Sequence, residues 1–331
     1  MSRHARTRHR PRGLPRIPLQ RLPQPPAAGL HSTWRQARSN RIEESLRHAL
    51  EVNPGGWLVA GTSADVQTTS VTRNLKGREV VLWRAEDGSL HAGPGACPHL
   101  GAQLSDCVVV GSDVVCRWHG MALPREAGAG WREFPAHDDG VLVWVRLPDA
   151  AEPPTELPVI PERPAAQKSL TAVICRAGRC DPEDIIANRL DPWHGAWFHP
   201  YAFSHLAVDE DRSDVTQLTV EVAFRINRRW GVPVVARFTT PDARTIVMRI
   251  IEGEGEGSVV ETHATPLGHD SDGWPQTMMT EATIAHSPGA GFQAARLLAP
   301  LIRPAIRRTA GQLWVDDLAY AERRYLLRRE Q

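Results

Sequence analysis

Five cysteines in 331 residues are too few for a disulfide scaffold, so stability must come from packing, and the expected compartment is the reducing cytoplasm. No run of eighteen apolar residues is present, which excludes a membrane-spanning helix. No apolar stretch follows Met1, so no secretory leader is expected. A phosphate-cradling glycine fingerprint is also missing, because Gly253, Gly255 and Gly257 are spaced for a turn. Acid is absent from the first 42 residues, which hold ten arginines. The other 29 basic residues face 38 acids, a net of about −9, so the body has no electrostatic basis for binding nucleic acid.

What is present divides the chain. Residues 1–38 are rich in arginine and proline with little to bury, and are expected to form a disordered tail. Asn40 and Glu43 fit an N-cap and capping box, with Ile42, Leu46 and Leu50 on one helix face. Short strands are expected at 57–60, 79–84, 89–92, 113–115 and 141–145, making a first, all-β domain over 39–150. The segment 151–169 is proline-rich and reads as a linker. Runs at 215–226, 234–240, 245–251, 259–265 and 277–285 predict an antiparallel sheet in a second domain, 170–331, which ends in helix from Gly289 onward. The fold class is therefore α+β. Within 292–308, Pro300 and Pro304 interrupt a run of leucines, isoleucines and arginines. A packed helical segment is expected there in preference to a lid or membrane-surface helix.

Two constellations carry chemistry. The first is Cys97-Pro98-His99, sixteen residues, then Cys116-Arg117-Trp118-His119. Each loop offers one thiolate and one imidazole, the set that a Rieske [2Fe-2S] cluster needs, with two cysteines on one iron and two histidines on the other. Zinc also takes Cys₂His₂, but zinc-finger spacing keeps like ligands together. Cys107, between the loops, reads as a small apolar residue. The second is Asp191-Pro192-Trp193-His194, with His199 five residues on. Two histidines on one element, completed by a distant carboxylate, form the facial triad of non-haem Fe(II) oxygenases. Residues five apart diverge by about 140° on a regular helix, so a π-bulge between His194 and His199 is expected. Asp191 either hydrogen-bonds His194 or caps a helix with Pro192 at its first position.

Together these motifs resemble the catalytic α-subunits of Rieske non-haem iron oxygenases over roughly residues 55–325. The resemblance implies a Rieske domain followed by a helix-grip, antiparallel-sheet catalytic domain. It implies two cofactors, the cluster on Cys97, His99, Cys116 and His119, and a mononuclear Fe(II) on His194, His199 and an acid of a C-terminal helix. Trp314, Leu318 and Ala321 mark that helix's inward stripe, and Asp317 borders it, so Asp317 is the expected third ligand, with Asp316 or Glu322 next. Asn188 fits the family's N-x-x-D-x-x-H-x₄-H form. Asp191 is implied to bridge His194 to the second cluster histidine, His119, of a neighbour in a head-to-tail homotrimer. The implied activity is hydroxylation or desaturation by O₂ of a hydrophobic small molecule, with electrons from a separate ferredoxin or flavin NAD(P)H reductase. The alternative is an electron-transfer protein with a non-catalytic second domain. Trp118 and the Met121-Ala122-Leu123-Pro124 segment depart from the family's usual aromatic pattern.

Overall fold

A computed structural model describes residues 19–22, 30, 32–126 and 128–330. Most of the expected disordered tail lies outside these residues. The part within them is a correction. Between Pro18 and Pro23 the chain forms β1 (Gln20–Arg21), which pairs with Gly231 and Trp230. Leu22 is buried there, because Gly231 lacks the side chain that would meet it at 3.0 Å. Burying that leucine is worth about 2 kcal/mol, enough to hold a four-residue stretch free of proline.

Helix α1 (Ser39–Glu51) starts one residue before the expected cap, and Arg38 at its N-cap makes no side-chain bond. Ile42, Leu46 and Ala49 are buried, whereas Leu50 is exposed. The helix packs into the core of the second domain, not the first. The 39–150 boundary therefore does not describe where α1 is stabilised. Its apolar stripe finds a larger apolar partner in the big sheet than the small strands of the first domain offer.

The first domain consists of three small antiparallel sheets. β2 (Trp57–Thr62) and β10 (Leu142–Arg146) pair, with β9 (Ala136–Asp138) on β10. β3 (Val71–Leu75), β4 (Arg78–Arg84) and β5 (Leu90–Pro94) form a meander, as do β6 (Val108–Val110), β7 (Asp113–Val115) and β8 (Ala122–Leu123). The second domain holds β11 (Ser169–Gly178), α2 (Pro182–Arg189), α3 (Gly195–Phe198) and β12 (Phe203–Asp209). There follow β13 (Gln217–Arg225), β14 (Trp230–Asp242), β15 (Thr245–Gly253), β16 (Val259–His269) and β17 (Pro275–His286). The sheet order is β11-β17-β16-β15-β14-β13-β12, antiparallel throughout, with β1 on β14. α4 (Ala290–Leu297) and α5 (Ala299–Arg329) complete it.

One face of the sheet is apolar through Leu218, Val220, Ala236, Phe238, Met248, Ile250 and Met279. It buries against α1, α2 and the Trp314–Leu318 face of α5. Pro300 lies in the first turn of α5, where the amides have no intrahelical acceptor, so it costs nothing there. Pro304 lies inside the helix, which runs on past it. The 292–308 segment is helical as expected, with Phe292, Ile302 and Ile306 half-buried, but it is packed only in part, since Leu297, Leu298 and Leu301 are 85%, 55% and 74% exposed.

The two domains share a core of Trp57, Val59, Leu142 and Trp144 against Ala282 and Ile284. Beside it, the Arg163 guanidinium pairs with Glu261 at 2.6 Å and Asp139 at 2.8 Å. Burial alone would raise both acids, but Arg163 holds each below its usual range.

Candidate metal centres

The two cluster loops share one turn. The Gly101 amide donates to the Cys97 carbonyl and the Gly120 amide to that of Cys116, at 2.9 and 2.8 Å. Both glycines sit in the left-handed region, φ +74° and +76°, where a side chain would be strained. The turns bury the thiols and leave both imidazoles exposed, with the rings of His99 and His119 4.9 Å apart, edge to face. Met121 Sδ lies 3.9 Å from Cys97 Sγ. Burial, and then the neighbouring Cys116 sulfur, push the Cys97 thiol up. Cys107 is fully buried and apolar in its surroundings.

A single tetrahedral ion would draw all four donors within one ligand sphere. Among the described residues, the group with three or more such donors within 4.8 Å of one another is His194, His199 and Asp317, and the Cys₂His₂ set is not so close. Thiols paired on one side and imidazoles on the other suit a two-iron cluster better than zinc.

At that triad the expected π-bulge is absent. Asp191 precedes a 3₁₀ turn at Pro192–His194, α3 follows as a single turn, and His199 leaves it at φ −119°, ψ 55°. The tighter 3₁₀ turn and the non-helical exit turn both rings to one side. Asp191 caps the turn by position, with Pro192 first, but its side chain makes no capping bond.

Tautomers follow from the partners. His194 Nδ1 points at the Asp191 carbonyl, which can only accept, so Nδ1 donates. His199 Nδ1 lies 3.3 Å from Tyr201 Oη, whose own proton goes to Asp316 at 2.6 Å. In the neutral rings, both Nε2 atoms therefore present lone pairs. They face the same carboxylate oxygen, Asp317 Oδ1, at 3.1 and 2.8 Å. Lone pairs turned on a carboxylate repel unless a cation lies among them or a ring is protonated. Burial would raise Asp317, but the two histidines hold it well below the usual carboxylate range. Burial would lower His194, but Asp317 raises it. Two imidazoles and one carboxylate are the donor set of the facial triad.

Asp317 is 2% exposed, whereas the Asp316 side chain is turned to Tyr201. Glu322 takes the Arg179 amide instead. Asn188 Nδ2 donates to Asp317 Oδ1 at 3.2 Å. The Asp191 carboxylate is 3.8 Å from His194, and its main-chain carbonyl, not the side chain, holds that ring. Tyr320 donates to Asp191 Oδ2 at 3.2 Å, while Oδ1 is buried with no partner among the described residues. Neither Tyr201 nor Tyr320 was singled out from sequence. The available signal was that two of only three tyrosines stand within three residues of a ligand, Tyr201 after His199 and Tyr320 after Asp317. A cavity of about 480 Å³ touches the same segment through Trp193, Ala196 and Trp197. None of the three triad residues lines it.

A family profile described as a domain of unknown function, DUF5914, matches residues 149–331, more than half of the chain. The chain belongs to the DUF5914 family. Ahead of the DUF5914 region, the profile of the Rieske [2Fe-2S] domain matches residues 56–148 and with it the cluster loops. Oxidoreductase NdmD of Pseudomonas putida is 35% identical over 92 residues, 27% of this chain and 15% of that protein. The oxygenase component of dicamba O-demethylase from Stenotrophomonas maltophilia is 27% identical over 109 residues, 29% and 32% of the two chains. This DUF5914 protein spans 15% to 34% of the length of the curated relatives it matches. The solved structure of dicamba monooxygenase bound to dicamba superposes with a TM-score of 0.61 at 18% identity, covering 84% of this chain and 89% of that one. That likeness is one of fold. The DUF5914 protein has the two-domain architecture of a Rieske oxygenase α-subunit, with a Rieske-type cluster as the cofactor of its first domain.

Proposed function

We propose that this DUF5914 protein is a Rieske oxygenase that hydroxylates or desaturates a hydrophobic small molecule with O₂. The observation that carries the reading is the pair of imidazoles turned, Nε2 first, onto one buried carboxylate. His194, His199 and Asp317 would hold ferrous iron, which supplies O₂ activation beside the substrate. Around it, the Asp191 carbonyl fixes the His194 tautomer and Asn188 orients the Asp317 carboxylate. Tyr201 and Asp316 fix His199. The cavity that touches the triad segment, lined by Trp193, Trp197, Leu206 and Val208, supports a hydrophobic substrate. Electrons would come from a separate ferredoxin or flavin NAD(P)H reductase in the cytoplasm. Two points support separate supply: the chain lacks a nucleotide fingerprint, and one relative is named as the oxygenase component of its system.

The same reading includes a head-to-tail homotrimer. Leu100 and Trp118 stand exposed beside the cluster histidines, and Phe198 and Tyr201 beside the triad. Two apolar patches flanking two redox sites are what a contact between copies would cover. In it, His119 of the partner subunit would approach the Asp191 side chain beside His194.

Metal analysis of anaerobically purified protein tests the proposal. About three irons and two acid-labile sulfides per chain are expected. Two irons with two sulfides would mark an electron carrier with a non-catalytic second domain. A colourless, zinc-loaded protein would overturn the reading altogether.

A further inference from the structure

The exposed leucines at the α4–α5 junction are unexplained by either metal centre. Leu297, Leu298 and Leu301 are 85%, 55% and 74% exposed, and they follow one another at spacings of one and three across the junction. Soluble surfaces expose single leucines freely, but three together mark a contact. The charge around them has one sign. From residue 282 to 315 there is no acid, while Arg296, Arg303, Arg307 and Arg308 are present. Arg296 and Arg303 donate to the Gln167 and Thr171 carbonyls, which fastens the junction to the sheet edge. Arg307 and Arg308 are exposed one to two turns further on. Ahead of α4, Glu254 accepts from Ser287 Oγ.

We infer that the α4–α5 junction is a membrane-surface contact, in which Leu297, Leu298 and Leu301 enter the headgroup boundary and Arg307 and Arg308 meet anionic phospholipid. The pairing of apolar anchors with cations, and no acid between residues 282 and 315, is the chemistry that an anionic bilayer surface complements. Among the described residues, no helix is long and apolar enough to cross a membrane. This goes beyond the oxygenase reading and does not depend on it.

The test is co-sedimentation of the full chain with vesicles of phosphatidylcholine alone and of phosphatidylcholine with a quarter phosphatidylglycerol. Binding to the anionic vesicles and far less to the neutral ones is expected. Leu297→Asp with Leu301→Asp should lower it about tenfold or more, and Arg307→Gln with Arg308→Gln by several-fold. The Rieske absorbance checks that each variant is folded, and Leu297→Ser with Leu301→Ser serves if the aspartates fold poorly. The arginine-rich first 42 residues are intact in every variant. Binding that survives the leucine changes would therefore belong to that stretch and overturn the proposal. So would an absence of vesicle binding, or a leucine variant that changes only the oligomeric state.

Discussion

At the scale of single residues, the candidate ligands were legible because chemistry fixes their type and the local turn fixes their spacing. Cys97, His99, Cys116 and His119 could be read from spacing alone. Asp317 could be read because a buried stripe of one helix points it inward. Asp317→Ala is expected to lose the mononuclear metal and turnover and to keep the Rieske absorbance, while Asp316→Ala keeps both metals. Iron per chain and the visible spectrum check this, and a full metal complement in Asp317→Ala would refute the assignment. The tyrosines were not legible, because their roles depend on contacts more than a hundred residues away, Tyr201 with Asp316 and Tyr320 with Asp191. Tyr320→Phe removes a hydrogen bond to a carboxylate that burial already pushes up. A loss of about 1–3 kcal/mol is expected, with iron content unchanged. Thermal unfolding and metal analysis of the same sample would show it. An unaltered midpoint would mean that Asp191 is satisfied some other way.

At the scale of elements, the central strands were legible from alternation and the C-terminal helix from its stripe. β11 and β12 were not singled out. They lie at the two edges of the sheet, and only part of each is buried, so their patterning is weak. The segment from Asp191 to His199 was misread as a bulged helix because a five-residue spacing admits more than one backbone solution, and the 3₁₀ turn was chosen by proline at its first position. The last residue of β11 supports α5 closely. A Cβ on Gly178 would stand 2.8 Å from Leu318 Cδ2, next to Asp317. Gly178→Ala should therefore push α5 off the strand, costing about 1–3 kcal/mol and weakening iron retention while the cluster stays intact. Metal titration of the apoprotein would detect it, and wild-type affinity would show that α5 yields without moving its carboxylate.

At the scale of the whole molecule, the two-domain order was legible and the joint was not, because Arg163 lies in a segment whose prolines read as a plain linker. The guanidinium is buried between Asp139 and Glu261, one acid from each domain. Arg163→Met leaves both carboxylates uncompensated and should cost about 3–5 kcal/mol, with earlier proteolysis between residues 148 and 169. The pH dependence has a definite sign. Asp139, Glu261 and Glu152, the last lowered to about 2 by Arg244 against the cost of burial, all have depressed values in the folded chain. Their contribution is full above the ordinary carboxylate range and is lost as pH falls through it towards about 2. The unfolding midpoint should fall steeply below about pH 4.5, and a flat profile down to pH 3 would remove these acids from the account.

The packing of α1 into the second domain also has a consequence for how the protein is made. The polypeptide enters the large sheet's core at residues 42–49, departs for a hundred residues, and comes back. Topologically, the Rieske unit is an insert within its host. During vectorial synthesis, α1 emerges from the ribosome with its apolar stripe bare. It must wait for α2 and β14, about 140 and 190 residues later, before it can dock. The Rieske unit can mature and take its cluster in that interval, while its host is still incomplete. A polypeptide begun at residue 149 should leave a groove where α1 belongs and should aggregate. A synthetic peptide of residues 37–53, supplied in trans, should rescue its solubility. If the 149–331 polypeptide is monomeric and cooperative without the peptide, α1 is an ornament on the core and synthesis has no such order.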